Sequence, residues 1–242
     1  MLNLSIECSG LYGSVALSDQ HEVLGVQDLP RTTSSGQSLA SAIQTLIAKH
    51  GSRPKLISVT CGPGSFTGLR VGLTVAKMLG WAWQIPIVPV DTLQVIAQQA
   101  LENVPRGQAV IVVPAINAFR KQVFTSAWQL SSDGQMLQLA QSQVVDAAIW
   151  MLSPLVAQPQ AVPTCDDSWE IWVAGPGLTR YPTANKDQRW GAAIRQWPEM
   201  EPHARWVAQI GWHRYLQGFQ VEAHELAANY IRASAAEESS KI

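Results

Sequence analysis

Short apolar or alternating runs open the chain: Leu2 to Ile6, Ser14 to Leu17 and Glu22 to Leu29, separated by Ser9-Gly10 and Asp19-Gln20. Period-two patterning bounded by turn residues predicts three consecutive antiparallel strands. The period then lengthens. From Gln37 to Lys49 the apolar residues Leu39, Ala42, Ile43, Leu46 and Ile47 fall on one stripe of an amphipathic helix, which Gly51 can end. Leu56 to Cys61 reads as a buried strand, and a second helix runs from the glycine-rich loop at Gly62 to Gly68 as far as about Trp83, stopped by Gln84-Ile85-Pro86. Ile87 to Val90 is the next strand and Thr92 to Leu101 a further helix.

The second half repeats this order in a worn form. Ala109 to Ala115, Gln122 to Leu130 and Met136 to Val144 predict three strands, Asp146 to Leu155 a helix, and Glu170 to Ala174 a buried strand. Gly175-Pro176-Gly177 then echoes Gly62-Pro63-Gly64, each triplet closing a Val-rich strand, which suggests an internal duplication with its seam near Asn103 to Gln108. His203 to Leu216 is amphipathic, Val221 to Ala233 predicts another short helix, and the stretch from Ala235 reads as a frayed tail. The expected fold is α/β, with two ribonuclease-H-like lobes of the actin, Hsp70 and sugar-kinase type, each a mixed five-stranded sheet with helices. Residues 1–105 form the first lobe and 106–242 a diverged second, whose last helix is free to pack back on the first.

The 242 residues accommodate two such lobes, and 47% hydrophobic with 14% charged residues is the composition of a folded globule. Seventeen Lys and Arg against 18 Asp and Glu leave a net charge of -1, so no global basic field draws nucleic acid. Cys8, Cys61 and Cys165 form no C-x-x-C pair, which argues against a disulfide framework and a zinc site. The start of the chain lacks a secretory leader's pattern and no stretch is apolar for long enough to span a bilayer, so a cytoplasmic protein without membrane contact is expected.

The loop Gly62-Pro63-Gly64-Ser65-Phe66-Thr67-Gly68, followed by Arg70, joins a strand to a helix and so offers backbone N–H groups to an anion. It fails the Walker A spacing and the G-x-S-x-G pattern, and a tight turn capped by Ser65 or Thr67 explains it equally well. The helix behind it is apolar all round, from Leu69 through Val71, Leu73, Val75 and Met78 to Trp83. Such a helix needs cover on two sides: its own sheet, and then either the Gln37 to Lys49 helix or another polypeptide. The five histidines form no metal-binding pair. Where nucleotide-cleaving actin-like proteins present an aspartate at the end of each lobe's first strand, this chain has Glu7 and Asn117, which weakens Mg²⁺ binding. Of ten tryptophans eight lie in the second half, among them Trp190, Trp197, Trp206 and Trp212; core packing is their ordinary use, and an RNA-stacking platform would need interleaved basic residues that are lacking.

The run from Gly62 to Gly72, then Ala76-Lys77 and Pro89-Val90-Asp91-Thr92-Leu93, resembles the signature of the TsaB (YeaZ) family of bacterial proteins. Ile6-Glu7-Cys8-Ser9 stands where that family has Ile-Asp-Thr-Ser, Val15-Ala16-Leu17 matches its second strand, and Tyr230-Ile231-Arg232 resembles its terminal Tyr-Leu-Arg. The similarity is dense over about the first 100 residues. Ser35-Gly36 replaces the family's His-Ser, and Asn117-Ala118-Phe119 its Asp-Ala-Arg.

The resemblance implies a non-catalytic scaffold subunit that heterodimerises with TsaD for N6-threonylcarbamoylation of the adenosine beside the anticodon of tRNAs. It implies docking of the ATPase TsaE, tRNA contact through the complex, and self-association through the same surface. The implied interface lies on the first two helices, with Leu39, Ile43, Leu46, Val71, Thr74, Val75 and Met78. Glu7, Ser9 and Asn117 mark a degenerate nucleotide site, with no tightly bound cofactor, no metal, no catalytic residue, and ATP or ADP only at the interface of the complex. The alternatives are a stand-alone actin-like kinase or ATPase, a glycoprotease-type peptidase, and a direct tRNA binder acting through the Arg70 region.

Overall fold

The computed structural model describes residues 1–30, 35–105, 108–130, 136–157, 170–189 and 191–231. Among them the chain divides into two compact units, one of Met1–Val95 with Glu201–Asn229, the other starting at Ile96 and including residues up to Met200. The first unit thus takes a segment that the 1–105 and 106–242 division assigned to the second lobe.

Strands β1 (Asn3–Glu7), β2 (Ser14–Ser18) and β3 (Val23–Asp28) form the antiparallel meander expected, and helix α1 (Ser35–His50) follows. Strand β4 (Leu56–Gly62) leads into helix α2 (Phe66–Trp83), then β5 (Ile87–Asp91) and α3 (Thr92–Ala100). The sheet order is β3-β2-β1-β4-β5, with β4 and β5 parallel to β1. Pleating sends Leu4, Ile6, Val15, Ile57 and Val59 to one face, where they pack with Leu39, Ala42, Ile43 and Leu46 of α1 and Leu73 and Ala76 of α2.

The other face is unusual because most of its inward positions on β1, β2 and β4 are polar: Asn3, Ser5, Glu7, Ser14, Ser18, Ser58 and Thr60, all buried. What covers it is helix α6 (Ala204–Leu216), from the end of the chain. Hydrogen bonds hold α6 there. Ala204 N donates to Ser14 Oγ (2.9 Å), Trp212 Nε1 to Ser18 Oγ (3.2 Å) and Asn3 Nδ2 to the Ala208 carbonyl (3.5 Å). Small strand residues let the helix come close, so that a Cβ on Gly211 would stand 1.9 Å from Ser58 Oγ. Alongside, Trp206, Val207, Ile210 and Trp212 pack on Leu56, Val88, Val90 and Val95.

Beyond α6 the expected helix from Val221 to Ala233 does not form over its described part. Val221 instead exchanges backbone hydrogen bonds with Ile87 (3.0 and 2.8 Å), and Asn229 N donates to the Cys61 carbonyl (2.7 Å). The segment is a strap tied to the sheet, and its apolar Val221, Ala223, Leu226 and Ala228 pack into the α1–α2 core, a use that helical periodicity does not reveal.

The second unit repeats the topology. Strands β6 (Val110–Phe119), β7 (Gln122–Leu130), β8 (Met136–Asp146), β9 (Glu170–Ala174) and β10 (Ala193–Trp197) are ordered β10-β9-β6-β7-β8, a meander followed by two parallel strands as in the first sheet. Helix α4 (Ala147–Leu152) begins at the Asp146 cap, and Pro154–Ala157 form a 3₁₀ turn where the sequence predicted one longer helix. Gly62 and Gly175 end corresponding strands with the same φ of +116°, which supports the duplication. The copies diverge just beyond: α2 has 18 residues, whereas α5 (Gly177–Arg180) has four. Tryptophans fill the core of this unit, with Trp150 and Trp172 fully buried and Trp197 stacked on Trp172 at 4.2 Å; Trp190, Cys165, Arg232 and the tail from Ala235 lie outside the described residues.

Candidate functional site: an apolar helix face

Of the three expected nucleotide residues, Glu7 and Ser9 are buried and Asn117 is partly exposed. Glu7 is fully buried on the sheet face beneath α6, where Oε1 accepts hydrogen bonds from Ser9 N (2.6 Å), Ser9 Oγ and Thr60 Oγ1 (3.4 Å). Its Oε2 has no partner. Burial pushes the Glu7 carboxyl up to about 7 against the opposing pull of the Ser9 hydrogen bonds, with Glu201 adding to the rise. Ser9 is buried with it. Asn117 Oδ1 accepts from Phe119 N (2.8 Å) and so fixes the β6–β7 turn, where Phe119, Arg120 and Lys121 all have positive φ.

The glycine-rich loop is spent on packing. Ser65 caps α2, its side chain accepting from Gly68 N (3.3 Å), and Ser65 N donates to the Ser9 carbonyl (2.8 Å). A Cβ on Gly68 would stand 1.9 Å from the Cys8 carbonyl oxygen, so the side-chain-free residue is needed for α2 to begin against the end of β1. The two described cysteines flank this region. Burial pushes the Cys61 thiol up to about 12, aided by Asp91, and raises Cys8 as well, with Glu7 contributing. Both are expected to stay unmodified by iodoacetamide at about pH 8 and to react once the chain is unfolded in urea, as intact mass will show.

What remains open is the outer side of α2. Leu69, Gly72, Leu73, Ala76 and Gly80 face the core. Phe66 (45% exposed), Met78 (64%) and Trp81 (73%) lie on the outside with Thr74, and Val71 and Val75 are half-buried beside them. The stripe follows the helix for roughly 25 Å at 1.5 Å per residue. Of the interface residues expected from the sequence, Thr74 and Met78 are therefore exposed and Val71 and Val75 lie at the margin. Leu39, Ile43 and Leu46 do not belong: at 0–4% exposure they are core residues of their own unit. The reason is simple. Helix α1 has one apolar stripe, which the sheet takes, whereas α2 is apolar on both sides and keeps one to spare.

Arg70 and Arg53 were not expected in this arrangement. The Arg70 guanidinium lies 3.8 Å from the Phe66 ring centroid, and that of Arg53 lies 5.8 Å from the Trp83 ring, so both ends of the stripe carry a cation over an aromatic ring. Among the described residues no group of His, Cys, Asp and Glu is arranged to hold a metal ion, and no helix is long and apolar enough to cross a membrane.

Comparison with known proteins gives this surface a context. A family model described as "TsaD: tRNA N6-adenosine threonylcarbamoyltransferase" matches residues 25–161, more than half of the chain. Relatives named "tRNA threonylcarbamoyladenosine biosynthesis protein TsaB" include the Haemophilus influenzae protein, 26% identical over 236 residues, 95% of this chain and 92% of that one. The Bacillus subtilis protein is 37% identical over 95 residues, 39% of each chain. The chain belongs to the TsaB (YeaZ) family. Its fold agrees: "YeaZ from Pseudomonas aeruginosa" aligns over 95% of this chain and 99% of its own with a TM-score of 0.74 at 23% identity. A second Pseudomonas aeruginosa structure, described as similar to peptidase YEAZ, aligns with a TM-score of 0.75 at 24% identity.

Proposed function

We propose that the chain is a non-catalytic scaffold subunit for threonylcarbamoylation of tRNA, and that it pairs with a TsaD-like subunit through the outer face of α2. The observation that carries the proposal is the stripe itself: large apolar side chains stand exposed along a helix whose opposite side is already buried in the core. Burial of Glu7 and Ser9 supports the non-catalytic part, since the carboxylate expected to face a nucleotide's metal ion is instead bonded to its neighbours under α6. On this reading the reacting groups belong to the partner, a TsaE-like ATPase and tRNA meet the chain only within the assembled complex, and no cofactor is held tightly.

Co-expression with the TsaD-like protein of the same genome provides the test. The two are expected to co-purify, and Met78→Glu is expected to abolish the pairing while leaving the melting temperature unchanged, because Met78 contributes little to the chain's own core. The chain alone is expected to turn over no Mg-ATP. Steady ATP hydrolysis by the purified chain, or co-purification indifferent to Met78→Glu, would refute the proposal.

A further inference from the structure

Between Asp28 and Asp91 the sequence contains no acidic residue. Six of the chain's 17 Lys and Arg fall in that interval, leaving eleven to face all 18 acids elsewhere, so a chain of net charge -1 is strongly divided in sign. The interval includes α1, β4 and α2, the last of which carries the exposed stripe. Arg53, Arg70 and Lys77 distribute its cations along the stripe: Arg70 at the Phe66 end, Lys77 two turns further along the helix, and Arg53 over Trp83 at the far end. No described carboxylate forms an ion pair with any of the three. The acids that bound the interval are engaged elsewhere, Asp28 with His203 (3.0 Å) and Asp91 with the first N–H groups of α3 (2.7 Å to Leu93 N).

We infer that the surface seated on α2 belongs to a protein whose apolar centre is flanked by carboxylates placed to meet Arg70, Lys77 and Arg53. The inference rests on the proposed pairing and adds the partner's charge. Complementary charges at the margin of an apolar contact direct association and exclude wrong partners. A second copy is the weaker fit, because in a two-fold interface each α2 would bring its own row of cations towards that of its twin. The aromatic and cationic residues alone would also suit RNA, yet Met78, Val71 and Val75 give the middle of the stripe an aliphatic character that serves a protein core better than a base stack.

The experiment measures the dissociation constant for the TsaD-like protein of the same genome at about 50 and about 500 mM NaCl, for wild type, Arg70→Glu and Lys77→Glu. Wild-type affinity is expected to fall roughly tenfold over that range, and each reversal to weaken binding roughly tenfold at low salt with a shallower salt dependence. Unchanged circular dichroism and melting temperature will show that the variants fold. Binding that ignores both salt and charge reversal overturns the inference while the pairing stands; wild type that does not bind at either salt concentration rejects the pairing and the inference together. Salt-dependent binding of a tRNA transcript to the lone chain, lost in Arg70→Glu, would assign the face to RNA instead. A self-dimer abolished by Met78→Glu would assign it to a second copy; either result overturns the inference.

Discussion

Replacing Gly211 with alanine is expected to destabilise the chain by roughly 2–3 kcal/mol, even though alanine is the better helix former. The new Cβ would stand 1.9 Å from Ser58 Oγ and 2.5 Å from Ser58 Cβ. A rotamer change can move the hydroxyl but not the Cβ, so α6 must lift from the sheet. Lifting it lengthens the bond that Asn3 donates and those that Ser14 and Ser18 accept, and opens the contact of Trp206 and Ile210 with Leu56 and Val90. Urea unfolding will read the loss as a lower midpoint. Adding Ser58→Gly removes both obstructing atoms and is expected to recover a substantial part of it, despite loss of the Ser58 to Asn3 hydrogen bond (3.0 Å). A Gly211→Ala variant as stable as wild type would show that α6 does not sit against β4.

Glu7→Gln is expected to stabilise the chain, and only above mildly acidic pH. In the unfolded chain the carboxyl titrates near its ordinary 4.5, whereas in the folded chain burial holds it at about 7. Below pH 4.5 both states are protonated and Glu7 is neutral to stability. As pH rises from there to about 7 the unfolded state releases its proton and the folded state resists, so stability falls with pH. At 1.36 kcal/mol per unit the difference approaches about 3 kcal/mol above pH 7. Glutamine retains an oxygen for the Ser9 N–H and carries no charge, so the variant should match wild type near pH 4.5 and exceed it near pH 8. Equal stability of the two proteins at pH 8 would contradict the burial of Glu7.

Much of the fold was written in local patterns. The strands from β1 to β5 and from β6 to β9, and the helices α1 and α2, fall within a few residues of the positions that periodicity predicted, because each presents a full apolar face or stripe to its sheet. Strand β10 was missed: Ala193 to Trp197 is five residues with Arg195 in the middle, an edge strand that alternation alone barely marks. Glu7 misled for a different reason. A carboxylate at the end of an alternating strand reads as a residue facing water, and the helix that buries it comes from about 200 positions further along the chain. The same distance left the return of residues 201–229 to the first unit as an option only, since no local signal says that Ser14, Ser18 and Asn3 are partners for α6. The stripe on α2 was legible as surplus hydrophobicity. Its charge was legible too, in the acid-free interval from Asp28 to Asp91, but whole-chain balance averages that asymmetry away.

Because Glu201–Asn229 completes the unit that Met1–Val95 begins, the earliest part of the chain to leave the ribosome is among the last to be finished. Until α6 emerges, hydroxyls, an amide and a carboxyl that water solvates well make up much of the open side of the nascent sheet, and its greasy surface is largely confined to Leu56, Val88 and Val90. The row of polar residues thus limits the greasy area of the waiting sheet and later becomes the seat on which the closing helix is received.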